Sequence, residues 1–282
     1  MALTLTSPDR LDADDRARVR DLATRIEDED GAPPLSDQAL TRLGADTVEH
    51  TVARADDRLV GYAQLSGRSL EIAADADAVG PLLDATAGRP LLVWAHGTNS
   101  RLTAPLTDRG FVRTRVLHQL RRSLAGQVSL PPLPDGVEIR PFVTGRDEDA
   151  WLAVNAAAFA QHPEQASWAR TDLEARESEP WFDPPGFLLA WRGAELLGFH
   201  WTKIHPDEVG EVYVIGVSPA AQGLGLGSVL LAYGLAYLRE RGCPQVLLYV
   251  DDTNGGALRL YERSGFARYD RDVQWARENG SG

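Results

Sequence analysis

From residue 136 onward the apolar and polar positions change their period repeatedly, and each change marks an element. The runs "GVEIRPF" (136–142), "GFLLAWRG" (186–193), "ELLGFHWTKIH" (195–205), "GEVYVIGVSP" (210–219) and "QVLLYVDD" (245–252) predict strands, the fourth stopped by Pro219. Helices are predicted over "DEDAWLAVNAAAFA" (147–160), over Gly225–Arg241 with Gly242 as its C′ stop, and over "NGGALRLYERSG" (254–265), ended by Gly265. "RGAE" marks a hairpin turn before the third strand, and "FARYDRDVQWAR" (266–277) is a final strand. The resulting order is β-α-β-β-β-loop-α-β-α-β.

Much of this pattern occurs twice. "LLVWAHGTNSRLTAPLTDRGF" (91–111) aligns without a gap to "VLLYVDDTNGGALRLYERSGF" (246–266), and "DDRLVGYAQL" (56–65) mirrors "GAELLGFHWT" (193–202). Similarity at a spacing of roughly 140–155 residues indicates two copies of one domain rather than a solenoid. Between them lies "RSLAGQVSLPPLPDG", whose three prolines at 131–134 exclude helix or central strand. The expected organisation is a first copy over 1–123, a Pro-rich linker over 124–135 and a second copy over 136–282. The copies differ in one interval. The second has a long strand, a glycine loop and a full helix where the first has "AADADAVG", with aspartates and no clustered glycines. The first copy keeps the scaffold and lacks the loop, so a single site in the second copy is expected.

Composition narrows the function classes. The 282 residues carry 29 basic and 41 acidic side chains, a net charge of −12, which argues against non-specific nucleic-acid or anionic-membrane binding. Cys243 is the single cysteine, so neither an intrachain disulfide nor a multi-thiolate metal site can form. His96, His118, His162, His200 and His205 have no metal-ligand spacing with carboxylates and read as surface or core residues; no metal is expected. No signal-peptide core and no run of ~20 apolar residues is present, so a cytoplasmic protein is expected. Among 29 basic residues, Lys203 is the only lysine, and a compact ammonium is not equivalent to a guanidinium fork.

The chemistry is concentrated in "SPAAQGLGLGSVLLAYGLAYLRERG" (218–242), where Gly223, Gly225 and Gly227 directly precede an amphipathic helix. Taken alone, the glycines fit either a plain turn or backbone amides cradling a phosphate at a helix N-terminus. The pattern Q-x-x-G-x-G (Gln222 to Gly227) follows a strand ending in V-x-P. Downstream come Asn254, Ala257, Tyr261, Gly265 and Phe266. With the strand order, these resemble the GNAT superfamily of N-acetyltransferases. The resemblance implies an α/β fold with a mixed sheet, in two tandem GNAT-like domains, the first degenerate. It also implies acetyl-CoA as co-substrate. Within the superfamily, "WFDPPGF", "LLGFHWTKIHPDE" and "GEVYVIGVSPAAQGLGLG" are similar to tandem-copy members that acetylate the cysteine amine of cysteinyl-glucosaminyl-inositol. Those members often carry arginines inside the loop, where this chain has Gly223 and Leu224, and a first-half glycine loop, which this chain lacks.

The resemblance implies roles position by position. Backbone groups of Ile215, Gly216 and Val217 would run beside the pantetheine arm, with the Val217 N–H on the thioester carbonyl. Amides of Gln222, Gly223, Leu224, Gly225, Leu226, Gly227 and Ser228 would hold the pyrophosphate, and Asn254, Gly255, Gly256, Ala257, Leu258 and Arg259 would line the cofactor's other side. Glu211 would be the general base and Tyr261 the proton donor to the leaving thiolate. Asp37, Glu164, Lys203, Glu211 and Tyr249 would bind the acceptor, although "LSDQAL" around Asp37 also reads as a helix N-cap. The expected partners are a small-molecule amine and acetyl-CoA, with no nucleic acid, no membrane and a monomeric chain. Two alternatives stay open: an acetyltransferase for another small amine, such as an aminoglycoside or a peptide N-terminus, and a non-catalytic acetyl-CoA sensor. A base and an acid together argue against the sensor.

Overall fold

A computed structural model describes residues 3–89, 91–98, 100–160 and 165–277, and the backbone alone of Asp37. The first stretch of chain forms β1 (Leu3–Thr6), α1 (Ala13–Asp30), α2 (Asp37–Thr41), β2 (Glu49–Ala55), β3 (Arg58–Ser66), β4 (Ser69–Ala74), α3 (Ala76–Asp84), β5 (Leu91–Ala95), α4 (Thr103–Asp108) and β6 (Val112–Ser123). The second forms β7 (Val137–Pro141), α5 (Glu148–Ala158), α6 (Arg170–Glu177), β8 (Phe187–Arg192), β9 (Glu195–Ile204), β10 (Gly210–Val217), α7 (Leu226–Glu240), β11 (Gln245–Asp251), α8 (Gly255–Arg263) and β12 (Ala267–Arg277). Residues 124–136, which hold the proline cluster, contribute neither helix nor strand.

The chain divides into two compact units. One runs to His118 and takes in the chain from Asp270 onward; the other holds Gln119–Tyr269. The sequence reading assigns all of 266–277 to the second copy, and here the structure differs. From Val273 on, β12 pairs antiparallel with β5, through Val273↔Ala95 and Trp275↔Val93. Trp275 packs on the first unit's core, and Asp272 and Asp270 accept the N–H groups of Gly97 and Thr98 at 3.0 and 2.6 Å. An alternating strand buries one face equally well against either copy, so its pattern does not say which copy it joins.

In the first unit β4 runs into α3 through Asp75, with no glycine turn between them. The Asp75 carboxylate accepts from Arg25 at 2.6 Å and Arg58 at 3.1 Å. An acid already stands where a phosphate-binding loop would offer amides, in keeping with a degenerate first copy.

The second unit carries the sheet order β11-β10-β9-β8-β7. Pairs from β7 to β10 are antiparallel, and β10 meets β11 in parallel. Its central strand β9 is buried on both faces from Leu196 to Thr202, which explains why its sequence lacks polar alternation. Phe199 and Trp201 enter an aromatic core with Phe142, Trp151 and Phe187. On the other face Leu197 packs with Leu226, Val229 and Leu230 of α7. Among the described residues, no helix is long and apolar enough to cross a membrane.

His200 locks α7 onto β9. Its ring is fully buried and its Nδ1–H donates to the Leu230 carbonyl at 2.8 Å. Burial pushes its pKa down to about 4, so the ring stays neutral near pH 7 and serves packing. The ring occupies the space beside Gly234, where an added Cβ would lie 2.1 Å from its atoms. Gly234→Ala is therefore expected to expel the ring, break the Leu230 bond and destabilise the fold by about 1–3 kcal/mol. Urea or thermal unfolding of the purified variant reads this directly, and unchanged stability would contradict the packing argument.

Candidate active site

The hairpin of β9 and β10 assembles the acidic part of the site. Lys203 lies opposite Glu211 and Thr202 opposite Val212; the register then shifts so that Val214 faces Trp201, leaving Tyr213 as the extra residue of a bulge. Glu211 and Tyr213 project to the same side as Lys203 and Trp201. The ring of Tyr213 stands 5.3 Å from Trp201 and 4.9 Å from Trp181. Over these rings lies the Lys203 ammonium, 5.0 Å from the Trp181 centroid and 5.9 Å from that of Tyr213. Arg176 Nε donates to the Tyr213 hydroxyl at 3.1 Å, while burial pushes that phenol's pKa up.

The segment "WFDPPGF" holds Trp181 in this group. Asp183 accepts from the Tyr237 hydroxyl and from Arg241, the latter at 2.8 Å, and Thr202 donates to the Gly186 carbonyl at 2.8 Å. Phe182 meets Phe142 edge to face. These ties fix both ends of a turn that would otherwise be free to move its indole.

Glu211 opens β10 and is buried, with its Oε2 accepting from His205 Nε2 at 2.7 Å. Reading His205 as a plain surface or core residue overlooks this pair. Its signal was present in "TKIHPDEVGEV": in a hairpin, Lys203 and His205 alternate onto one face, and that face includes Glu211.

Beside Glu211 the sheet opens. The β10–β11 register comprises Gly210↔Val246 and Glu211↔Leu247, while β10 continues along β9 to Val217↔Gly198. Ser218 N–H donates to Leu197 on the β9 side at 2.8 Å. Because successive strand N–H groups alternate edges, the Val217 N–H is directed to the edge where β11 has diverged. The side chains of Ile215 and Val217 pack into the core, so these positions offer backbone groups only.

The opening ends at the glycine loop. Gly223 and Gly225 have φ of 86° and 72°, and a Cβ at either would meet open space; backbone conformation is what requires glycine there. Gly227 has ordinary helical φ, where a Cβ would make only van der Waals contact with Leu260 and Val217. Gly225 is the N-cap of α7 and no side chain caps the helix. Leu226 is buried and anchors the first turn, so it too offers only its backbone, whereas Leu224 is exposed. The Ser228 N–H, in the first turn of α7, donates to Gly225 O at 3.1 Å. Backbone amides across Gln222 to Ser228, at the positive end of the helix dipole, are the candidate donors to an anion. A pyrophosphate fits this cradle, because it needs amides without intervening bulk.

On the far side, Asn254 caps α8 by accepting from the Ala257 N–H at 3.1 Å. Gly256 and Arg259 are exposed, and the Arg259 guanidinium folds back toward Gly255, where a Cβ would lie 3.3 Å from Nη1. The Leu258 side chain is buried in the core, so this position has its backbone to offer. Tyr261 is likewise in that core, edge-on to Phe266, and burial pushes its pKa up to about 12. Tyr249, half exposed on β11, accepts from Gln119 at 2.7 Å. In α2 the cap is Ser36, accepting from Ala39 at 3.2 Å, with Asp37 the first helical residue; the Asp37 side chain lies outside what is described. Glu164 and His162 also lie outside the described residues.

Comparison with known proteins identifies the family. Residues 151–266 match the acetyltransferase (GNAT) family. The chain is similar to a mycothiol acetyltransferase of Thermomonospora curvata, 48% identical over 92% of each chain. It is 47% identical to one of Salinispora arenicola, covering 97% of this chain and 96% of that one. Among solved structures it resembles a GCN5-related N-acetyltransferase of Sphaerobacter thermophilus, at a TM-score of 0.76 and 21% identity over 99% and 96% of the two chains. It also resembles a tandem GNAT protein of the clavulanic acid pathway, at a TM-score of 0.72 and 18% identity over 100% of both.

One loop with two left-handed glycines leads to a quantitative expectation. Calorimetric titration should return one acetyl-CoA site per chain. Gly225→Val forces a β-branched residue to positive φ at a cost of roughly 1–3 kcal/mol, and should weaken that site at least about tenfold. Two comparable sites, or undiminished affinity in the variant, would refute the assignment.

Proposed function

This chain belongs to the mycothiol acetyltransferase family, and on that footing we propose that it moves the acetyl group of acetyl-CoA to the cysteine amine of cysteinyl-glucosaminyl-inositol. The observation that carries the reading is the placing of Glu211, paired with Lys203, at one end of the opening between β10 and β11 and the uncapped glycine loop at the other. When bound, acetyl-CoA supplies the acetyl group as a thioester. The amides of Gln222 to Ser228 hold its pyrophosphate, with Arg259 at hand from α8. The Val217 N–H is the donor for the carbonyl oxygen.

Glu211 removes the proton that keeps the amine from attacking. An α-amine has a pKa of roughly 7.7–8.0, so most of it is protonated at pH 7. Tyr261 is neutral and keeps a proton to offer. It is the donor to the leaving thiolate of coenzyme A. Lys203 and Tyr249 supply polar groups for a hydroxyl-rich acceptor.

Glu211→Gln keeps the shape and loses proton acceptance. The expected kcat at neutral pH falls by about 10²–10⁴, the usual worth of general base catalysis. The deficit should shrink above about pH 8, where the amine loses its proton unaided. Acetyl-CoA binding should stay as in the wild type. Near-normal turnover at pH 7 would mean that the amine is deprotonated elsewhere.

Lys203→Met tests the acceptor. If the ammonium bonds acceptor hydroxyls, the KM for cysteinyl-glucosaminyl-inositol should rise by roughly one to two powers of ten, from a charged hydrogen bond of about 1.5–3 kcal/mol. The KM for acetyl-CoA should not move, and Lys203→Arg should rescue only partly. Unchanged acceptor kinetics in both variants would favour a different small amine as substrate.

A further inference from the structure

Across the hairpin Glu211 has two cationic-type neighbours on its own face, and it bonds the weaker one. Lys203 is its direct partner in register. The carboxylate nevertheless bonds to His205, with Oε2 accepting from Nε2 at 2.7 Å. The Lys203 ammonium rests over Trp181 and Tyr213 instead, at 5.0 and 5.9 Å. An ammonium hydrogen-bonded to a carboxylate favours its charged form and makes it a poorer proton acceptor. The imidazole Nε2–H fixes the orientation of the same oxygen and leaves the ammonium away from it.

The turn that delivers His205 is an unusual one. Glu208 adopts φ of 64°, rare for a residue other than glycine or asparagine. It is closed by the His205 N–H donating to Val209 O and the Glu208 N–H donating to His205 O, both at 2.9 Å. Asp207 adds a bond to the Val209 N–H at 3.3 Å. A strained residue persists where its surroundings over-determine it, and here the outcome of the turn is an imidazole held against Glu211.

We propose that His205 is a positioning residue for the transfer, its Nε2–H fixing Oε2 of Glu211 so that Oε1 is the oxygen that receives the acceptor's proton. This rests on Glu211 being the base. The amine N–H bond breaks, its proton passes to Oε1, the freed electron pair remains on nitrogen, and His205 keeps its own proton throughout.

The test is steady-state kinetics of the full chain with acetyl-CoA and cysteinyl-glucosaminyl-inositol. His205→Phe keeps ring volume and His205→Ala removes it; both should lower kcat about 10–100-fold with both KM values within about twofold. His205→Gln, whose amide N–H reaches close to the Nε2–H position, should recover kcat to within about fivefold of the wild type. In a Glu211→Gln background, His205→Phe should add less than about twofold, because the two residues act as one unit. Wild-type kcat in His205→Phe, no rescue by His205→Gln, or a full further loss on top of Glu211→Gln would each overturn the proposal. Undiminished kcat in Glu211→Gln would instead remove the base itself and this role with it. That result is distinct from a slow Glu211→Gln beside a fast His205→Phe, which overturns the positioning role alone.

Discussion

The geometry of the second unit depends on how β10 is shared between its two neighbours. It stays bonded to β9 from Gly210 to Val217, yet its register with β11 comprises only Gly210 and Glu211. A strand held on one edge and released on the other presents backbone donors with no sheet partner, which is costly unless something else bonds them. The bulge at Tyr213 accompanies the divergence, since an extra residue bends the strand that carries it. The proposed base, the acceptor lysine and the approach to the glycine loop all follow from this single strand.

Packing on both faces makes that arrangement rigid. On one side, the His200 ring fills the space left by Gly234 and bonds to Leu230, fixing α7 and with it the loop at its N-terminus. On the other, Phe187 stacks on Trp201 with centroids 4.3 Å apart, and Trp151 meets Trp201, Phe187 and Phe199 edge to face. Aromatic pairs in such geometries add to area burial and prescribe orientation. Trp181 and Tyr213 extend this cluster to the Lys203 ammonium, so the charge of the only lysine is placed by the core.

The first unit shows the fold without a glycine loop between the matching strand and helix. Its strand passes straight into its helix, Asp75 is engaged by two arginines, and Leu106 stands fully buried at the position matching Tyr261. The amides of Gly97 and Thr98, in the stretch that matches Asp252 and Thr253, are bonded by Asp272 and Asp270.

Local constraints were legible in the sequence because they act within a few residues. Alternation and helical period located β7 to β11 and the helices α5, α7 and α8, and the gapless match of 91–111 to 246–266 revealed the duplication. Three glycines before an apolar helix marked the loop, and the structure showed that Gly223 and Gly225, not Gly227, are the left-handed ones. Contacts between distant segments were not legible, because alternation reports that a face is buried and never against what. For that reason only the tertiary structure decided that the end of β12 pairs with β5 and that the Leu258 side chain goes to the core. The same limit explains His205 and Lys203. One imidazole and one ammonium lie two residues apart on the same strand face, and only packing against Trp181 and Tyr213 decides which of them the carboxylate of Glu211 receives.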